Sequence, residues 1–300
     1  MARCASPILG VLLLQACAGP KQSSGNTPDD TDPPSRTFPE VIGGARPAPV
    51  VHPASFEPDE TLPAVVLLHF WGGSALVEDR VFGLTDRVDA DRFLLVMPDG
   101  TFDDNGSRHW NAGVDCCGDA AAPVDDVAYL AGLVDELRAT WRVGTVTFVG
   151  HSNGGYMAYR LACDVPDKFD RMVVLAGSDP VVPPDCVQGH PIGLLHVHGT
   201  ADDSVHYDAD MEAVHTPGAV ESVRRQAART GCDTTTSDLG AADLLWSLDG
   251  EESTGVAYKG CPSPVALWTV VDGDHLFLTA SESFRDGVAA FALGGAPTFP

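Results

Sequence analysis

Residues 149–155 read VGHSNGG and join an apolar run, TVTF, to a helix-like run, YMAYRLA. Glycines on both sides of Ser152 allow the backbone to turn sharply between the two runs. A serine on such a strand-to-helix turn presents its hydroxyl at the end of the strand, which is the geometry of a nucleophile elbow. The segment therefore requires a fold in which a strand leads directly into a helix, and it makes Ser152 a candidate nucleophile.

The rest of the chain alternates between strand and helix patterns. Apolar runs typical of buried strands lie at residues 63–70, 93–100, 145–150, 171–177, 191–199 and 264–273. Helical spacing is found at residues 82–92, 124–141, 155–164, 219–230 and 281–293. This alternation predicts an α/β fold, a mostly parallel sheet with helices on both faces, in a single catalytic domain.

Ligands of such sheets bind beyond the carboxyl ends of the strands, where this chain places chemically capable side chains. Ser152, Asp202 and His275 each follow a predicted strand. Histidine can take the serine proton near neutral pH, and an acid can orient the imidazole and stabilise its charged form. We predict these three residues as a catalytic triad, with Asp203 as the alternative acid.

The oxyanion formed by attack on a carbonyl needs backbone N–H donors. The residue after the nucleophile, Asn153, is predicted to supply one. The loop after the first strong strand, HFWGG, is predicted to supply the second from Trp71, with Phe70 as the alternative.

The N-terminus has one basic residue, Arg3, followed by a short apolar core that ends in Leu-Gln-Ala-Cys. We predict a signal peptide over residues 1–17, with Cys17 as a possible lipidation site, and export to an extracellular, periplasmic or outer-membrane location. Residues 18–45 are rich in Pro, Ser and Asp and are predicted as a flexible linker. The catalytic domain is predicted over residues 46–300.

Six cysteines remain after Cys4 and Cys17, and an even number in an exported chain favours disulfides. The favoured pairs are Cys232–Cys261 and Cys163–Cys186, which leave Cys116 and Cys117 to each other. A zinc site is a poor alternative, because the only close pair is C-C rather than C-x-x-C. No metal and no organic cofactor is expected.

The formal net charge of −24 argues against nucleic acid as a partner, because phosphate binding needs clustered Lys and Arg. The expected partner is a small or oligomeric ester. Membrane contact is expected only through the N-terminal lipid, and the protein is expected to be a monomer.

Seven segments resemble one known family. They are LHFWGGS (68–74), MPDG (97–100), WNAGVDCCG (110–118), VDDVAYL (124–130), GHSNGGYMAYRLACDVPDKF (150–169), LAGSDP (175–180) and HVHGTADDSVHY (196–207). They resemble the polyhydroxybutyrate depolymerase and feruloyl esterase-like family of secreted α/β-hydrolases. The chain departs from the family pattern where His69 is followed by Phe70 instead of glycine.

The resemblance implies an α/β-hydrolase fold and a serine esterase with the triad Ser152, Asp202 and His275. It also implies that Trp110 and Asn111 lie near the mouth of the site, and we add His151 to these substrate-binding candidates. Expected substrates are feruloyl or acetyl esters of polysaccharide, or short polyhydroxyalkanoate oligomers. The alternatives are a catalytically inactive surface domain that binds glycan or polymer, and a serine peptidase of the same fold.

Overall fold

A computed structural model of the protein describes residues 38–113, 116–117, 124–179, 186–187, 189–210 and 216–299. The predicted signal peptide, with Cys17, lies outside the described residues. So does most of the predicted linker. Twelve strands are described in these ranges: β1 (Val41–Ile42), β2 (Ala48–Val51), β3 (Thr61–Leu68), β4 (Leu94–Val96), β5 (Thr101–Phe102), β6 (Arg108–His109), β7 (Arg142–His151), β8 (Arg171–Leu175), β9 (Gly193–Gly199), β10 (Thr236–Ala242), β11 (Ser253–Tyr258) and β12 (Val265–Val270).

The helices in the described part of the chain are α1 (Ala75–Phe82), α2 (Val88–Asp91), α3 (Asp126–Thr140), α4 (Asn153–Asp164), α5 (Ala219–Thr230) and α6 (Glu282–Ala292). Short 3-10 turns cover Thr85–Arg87 and Pro166–Lys168. Two longer helices begin at side-chain caps, which satisfy backbone N–H groups that the helix itself leaves free. Asp125 accepts a hydrogen bond from the Ala128 N–H, and Ser281 accepts one from the Phe284 N–H.

Ten strands form one sheet in the order β1-β2-β4-β3-β7-β8-β9-β12-β11-β10. The six central strands, from β4 to β12 in that order, are parallel to one another. The two strands at each edge pair antiparallel. The carboxyl ends of β7, β9 and β12 therefore lie at the same edge of the sheet.

Alternate residues of the central strands point into two separate cores. In β3, Val66 and Leu68 pack on the face covered by α3, α4 and α5, and Val65 and Leu67 pack on the face covered by α1, α2 and α6. A strand buried on both faces has to be apolar at nearly every position, which explains the continuous apolar run of β3. The predicted α/β architecture is therefore confirmed.

The domain begins earlier than predicted. Residue 46 was the predicted start, but β1 pairs with β2 and Phe38 stacks on Trp141, 5.8 Å between ring centroids. Residues 38–45 thus belong to the folded domain, and the predicted linker boundary at residue 45 is wrong. The apolar pattern around β1 is too short to stand out from a Pro- and Gly-rich sequence.

Helix α1 was also missed, because helical spacing was assigned to residues 82–92 instead. The structure divides that stretch into the end of α1, a 3-10 turn and the four-residue helix α2. Gly83 ends α1 in a left-handed conformation, φ 63°, which suits glycine and separates the two helices.

Candidate active site

The turn that carries Ser152 is held in an unusual conformation. Ser152 has φ 52° and ψ −118°, and its N–H donates to the Leu175 carbonyl of β8, N···O 2.8 Å. Gly150 and Gly154 make this turn possible. A Cβ on Gly150 would meet the Gly154 carbonyl, and a Cβ on Gly154 would meet the Leu68 carbonyl. Strain of this kind is typical of functional residues.

Three side chains from three strand ends meet at this turn. His275 Nε2 lies 2.9 Å from Ser152 Oγ, and His275 Nδ1 lies 2.7 Å from Asp202 Oδ2. Asp202 follows β9 and His275 follows β12, so the sheet brings together residues 50 and 123 positions from the serine. Asp203 is exposed and its carboxylate accepts a hydrogen bond from the neighbouring Ser204 hydroxyl, so it does not contact His275.

The Asp202 carboxylate is surrounded by donors. Its Oδ1 accepts from the N–H groups of Ser204 and Val205, at 2.9 and 2.8 Å. Burial alone would raise the pKa of Asp202, but the hydrogen bonds from His198 and His275 and the charge on His275 outweigh burial. The pKa of this carboxyl is therefore held well below its usual range. An ionised carboxylate at this position keeps the N–H of His275 on Nδ1 and leaves Nε2 facing the serine.

A buried chain of hydrogen bonds supports Asp202 from behind. His198 Nε2 lies 2.7 Å from the Val205 carbonyl, which can only accept, so this nitrogen carries a proton. Burial holds the pKa of His196 well below its usual range, and its Nε2 lies 3.0 Å from His198 Nδ1. Tyr159 Oη lies 2.9 Å from His196 Nδ1. These contacts lead from Tyr159 to the turn that holds Asp202.

The loop after β3 is also fixed by hydrogen bonds. The Phe70 N–H donates to Glu78 Oε2 at 3.1 Å, and the Phe70 carbonyl accepts from His69 Nδ1 and the Gly73 N–H. The expectation that Phe70 is the alternative oxyanion donor is therefore wrong, because its N–H is already bound to a carboxylate. In the described part of the chain, no hydrogen bond is recorded for the Trp71 N–H, which leaves Trp71 as the candidate donor in this loop.

Ser152 opens into a cleft of about 500 Å³ whose walls are largely apolar. The lining residues include Phe70, Trp71, Tyr156, Leu276 and the Cys116–Cys117 pair. Trp71 and Leu276 are about half exposed, and both lie at the open rim of the cleft. A second cleft, about 580 Å³, is lined by acidic residues around Asp203 and Asp208 and does not include Ser152.

Three predicted substrate-binding residues do not line the cleft. Trp110 is fully buried and its backbone exchanges two hydrogen bonds with the Asn153 side chain, at 2.7 and 2.9 Å. Asn111 is buried, and its N–H donates to Asp126. Trp110 thus anchors its loop to the elbow helix α4, and Asn111 anchors the same loop to α3. His151 is buried behind the triad, between Glu78 and the His275 carbonyl. Their assignment as substrate-binding residues is therefore wrong.

Glu78, His196 and His198 were not among the residues predicted from the sequence. The two histidines lie two residues apart in β9, so their side chains share one face of the sheet, and the spacing in HVHG is a signal that was available. Glu78 gave no signal, because a glutamate in the run ALVEDRVF is ordinary on a helix surface.

The structure contains the three favoured disulfides, Cys116–Cys117, Cys163–Cys186 and Cys232–Cys261. Among the described residues there is no group of three or more His, Cys, Asp or Glu side chains that could hold a metal ion. No helix in the same ranges is long and apolar enough to cross a membrane.

This topology, with a serine on the elbow after β7, an acid after β9 and a histidine after β12, is the α/β-hydrolase fold. Residues 63–194 match the family model described as alpha/beta hydrolase fold. The acetyl xylan esterase from Aspergillus awamori has the same fold, with a TM-score of 0.57 at 12% identity over 78% of this chain and 93% of that chain.

The chain is similar in sequence to proteins that carry esterase names. It is 32% identical to the "Putative esterase NocK" of Nocardia uniformis subsp. tsuyamanensis over 54% of this chain and 47% of the relative. It is 33% identical to the "Probable feruloyl esterase C" of Aspergillus oryzae over 42% of this chain and 40% of the relative. The protein of that name from Aspergillus terreus is 26% identical over 74% and 73%. The chain thus spans less than half the length of the first two relatives. The names agree with the esterase resemblance that the motifs indicated.

Proposed function

We propose that the protein is a serine esterase that hydrolyses carboxylic esters. The observation that carries this proposal is the unbroken series of hydrogen bonds from Asp202 through His275 to Ser152, which opens on an apolar cleft. The esterase names of the relatives support the same activity.

In the proposed mechanism, Ser152 Oγ attacks the ester carbonyl while His275 Nε2 takes its proton. The charge that develops on the carbonyl oxygen is stabilised by the N–H groups of Asn153 and Trp71. His275 then protonates the leaving alcohol, and the acyl group remains on Ser152. Water activated by His275 hydrolyses this acyl-enzyme and regenerates the serine.

Esters of small or aromatic acids on polysaccharide fit the cleft best. Phe70, Trp71 and Tyr156 provide aromatic walls, which suit a feruloyl group, and the open rim leaves room for a large alcohol such as a sugar chain. Short polyhydroxyalkanoate oligomers are the second substrate class, since they share the ester bond and an uncharged chain. The acidic surface of the protein disfavours anionic substrates.

Export belongs to the same proposal. Three disulfides are expected in an oxidising compartment and are rare in the cytosol. Together with the signal-like N-terminus, they favour a protein that works outside the cytoplasm. The Leu-Gln-Ala-Cys ending of that segment supports a lipid anchor on Cys17.

The test compares the oxidised wild-type protein with Ser152→Ala on p-nitrophenyl acetate, p-nitrophenyl butyrate and methyl ferulate, together with a fluorescent phosphonate probe. We expect turnover with all three esters and one label per chain, both lost in Ser152→Ala. Ser237→Ala, on the distant edge strand β10, is the matched control and is expected to behave as wild type. A folded wild-type protein with neither turnover nor label would refute the esterase and favour a binding domain.

A further inference from the structure

The elbow, the oxyanion loop and the loop of the general base are connected below the cleft by two buried side chains. Glu78 of α1 and His151 at the end of β7 are 0% and 1% exposed, and His151 Nδ1 lies 3.2 Å from Glu78 Oε1. Neither side chain lines the cleft around Ser152. The proposed mechanism does not use either of them, although both touch its parts.

Each residue of this pair contacts one part of the site. Glu78 Oε2 accepts the N–H of Phe70, the residue immediately before the candidate oxyanion donor Trp71. His151 Nε2 lies 2.8 Å from the backbone carbonyl of His275. The ring of Phe70 covers His151 edge-on, with 5.5 Å between centroids, on the side of the cleft. Glu78 and His151 therefore form a continuous bridge between the oxyanion loop and the general base.

The partners determine the protonation of the bridge. The His275 carbonyl can only accept, so His151 Nε2 must carry a proton. Glu78 already accepts from Phe70 with one oxygen, and its other oxygen lies within hydrogen-bond distance of Nδ1. Burial would lower the pKa of His151, but the charge and hydrogen bond of Glu78, the His275 carbonyl and the charge of Asp202 together raise it. His151 is faced by the Glu78 carboxylate on α1, by Asp202 after β9, and by the carbonyl and the ring of His275 after β12. The two histidine rings lie 5.4 Å apart between centroids, and the Phe70 ring covers the side of the cleft.

We propose that Glu78 and His151 form a buried ion pair that positions the oxyanion loop against His275, so that both are positioning residues for ester hydrolysis. Burying an ion pair costs desolvation free energy. We therefore explain this pair by the specific geometry that it maintains. Here the geometry is the separation between the Trp71 N–H and the His275 ring. An error of about 1 Å in such a separation costs roughly 100-fold in rate.

The inference rests on the proposed esterase activity, and the experiment separates the two. Glu78→Leu and His151→Phe remove the bridge. Glu78→Gln keeps the bridge without charge. The glutamine Oε1 can accept from the Phe70 N–H, and the glutamine amide N–H can donate to Nδ1 of a neutral His151. We expect the first two variants to lower kcat by about 100-fold with KM nearly unchanged, and Glu78→Gln to retain kcat within about fivefold of wild type. Asp179→Leu is the matched control, since Asp179 is a buried carboxylate paired with Arg229 away from the triad.

NMR of protein labelled with ¹⁵N-histidine provides a readout that does not depend on turnover. We expect His151 to show two ring N–H signals at pH 8, and the low-field Nδ1 proton of His275 to shift in Glu78→Leu but not in Asp179→Leu. A neutral His151 would overturn the ion pair. A Glu78→Leu variant with the same kcat and the same His275 signal as Asp179→Leu would overturn the positioning role. A wild-type protein without turnover would refute the esterase. The NMR signals of His151 and His275 would still show whether Glu78 and His151 form the bridge.

Discussion

Trp71 occupies the second position of a turn whose geometry allows a direct test of the oxyanion donor. The Gly73 N–H donates to the Phe70 carbonyl at 3.0 Å, and Gly72 has φ 79°. This pattern fits a type II turn with Trp71 at a position that favours proline. Proline has no N–H, so it can replace Trp71 with the turn intact and the donor removed.

We expect Trp71→Pro to lower kcat by about 100- to 1,000-fold, the usual cost of losing one oxyanion donor. Trp71→Ala is the control, because it loses the same indole contact with Asp103 but keeps the N–H. This second variant is expected to change mainly KM, since Trp71 lines the rim. Equal kcat values for the two variants, measured on p-nitrophenyl acetate, would show that the Trp71 N–H is not the donor.

At the residue scale, the sequence predicted Ser152, Asp202 and His275 because each follows a strand, and the structure brings these three together. It misplaced Trp110 and Asn111, which were assigned from the family resemblance, and His151, which is adjacent to Ser152 in the chain. Neither a shared motif nor nearness in sequence determines to which side of the backbone a side chain points. His151 precedes Ser152 by one position, yet the turn directs its ring away from the cleft and into the protein.

Among the elements, the junction of β7 and α4 requires glycine. The helix begins directly after Ser152 and runs so close to β3 that a Cβ at Gly154 would meet the Leu68 carbonyl, a backbone atom that cannot rotate away. Gly132 in the middle of α3 is a matched case in which a Cβ would meet nothing within 4 Å.

We expect Gly154→Ala to lower the free energy of unfolding by about 1–3 kcal/mol, as overpacking does, and to lower kcat because the elbow shifts. Gly132→Ala is expected to raise the free energy of unfolding by about 0.5–1 kcal/mol, the helix preference for alanine over glycine. Urea denaturation of both variants measures this difference. A Gly154→Ala protein as stable and active as wild type would show that the close approach of α4 to β3 is not required.

The sequence correctly predicted the central strands of the sheet and helices that pack on them. Helix α5 was predicted over residues 219–230 and has the same limits in the structure. The edge strands were missed, because β10 reads TSDLGAA and lacks the apolar run used to recognise strands. Such a strand is formed by its backbone pairing with β11. Most of the region between Cys232 and Cys261 forms this hairpin.

For the whole molecule, the buried Asp202 links the site to acid stability. The pKa of Asp202 is lowered in the folded state, so its ionised form favours folding at every pH above the unfolded pKa of about 3.9. This contribution is lost as the pH falls below about 4, toward the folded value.

We therefore expect the difference in the free energy of unfolding between wild type and Asp202→Asn to decrease as the pH falls from 5 to 2. Taking a difference removes the titration that the two proteins share. Asp203→Asn, which removes an exposed carboxylate, is the control. Its free energy of unfolding is expected to change with pH in the same way as that of wild type. Thermal unfolding followed by circular dichroism at several pH values tests this, and parallel curves for all three proteins would contradict it.

By itself the sequence determined the α/β class and the Ser-Asp-His order, because these depend on local periodicity and on a small set of chemically capable residues. It favoured one pairing of the six cysteines without excluding the others, and the structure contains that pairing. The tertiary structure decided which N–H group of the HFWGG loop is free, which acid contacts His275, and where Glu78 and His151 lie. The last two depend on hydrogen bonds between residues 73 positions apart, Asp202–His275 and Glu78–His151, and the first depends on the bond from the Phe70 N–H to Glu78 across the loop. No local pattern records such contacts, since they exist only after the sheet has brought the strand ends together.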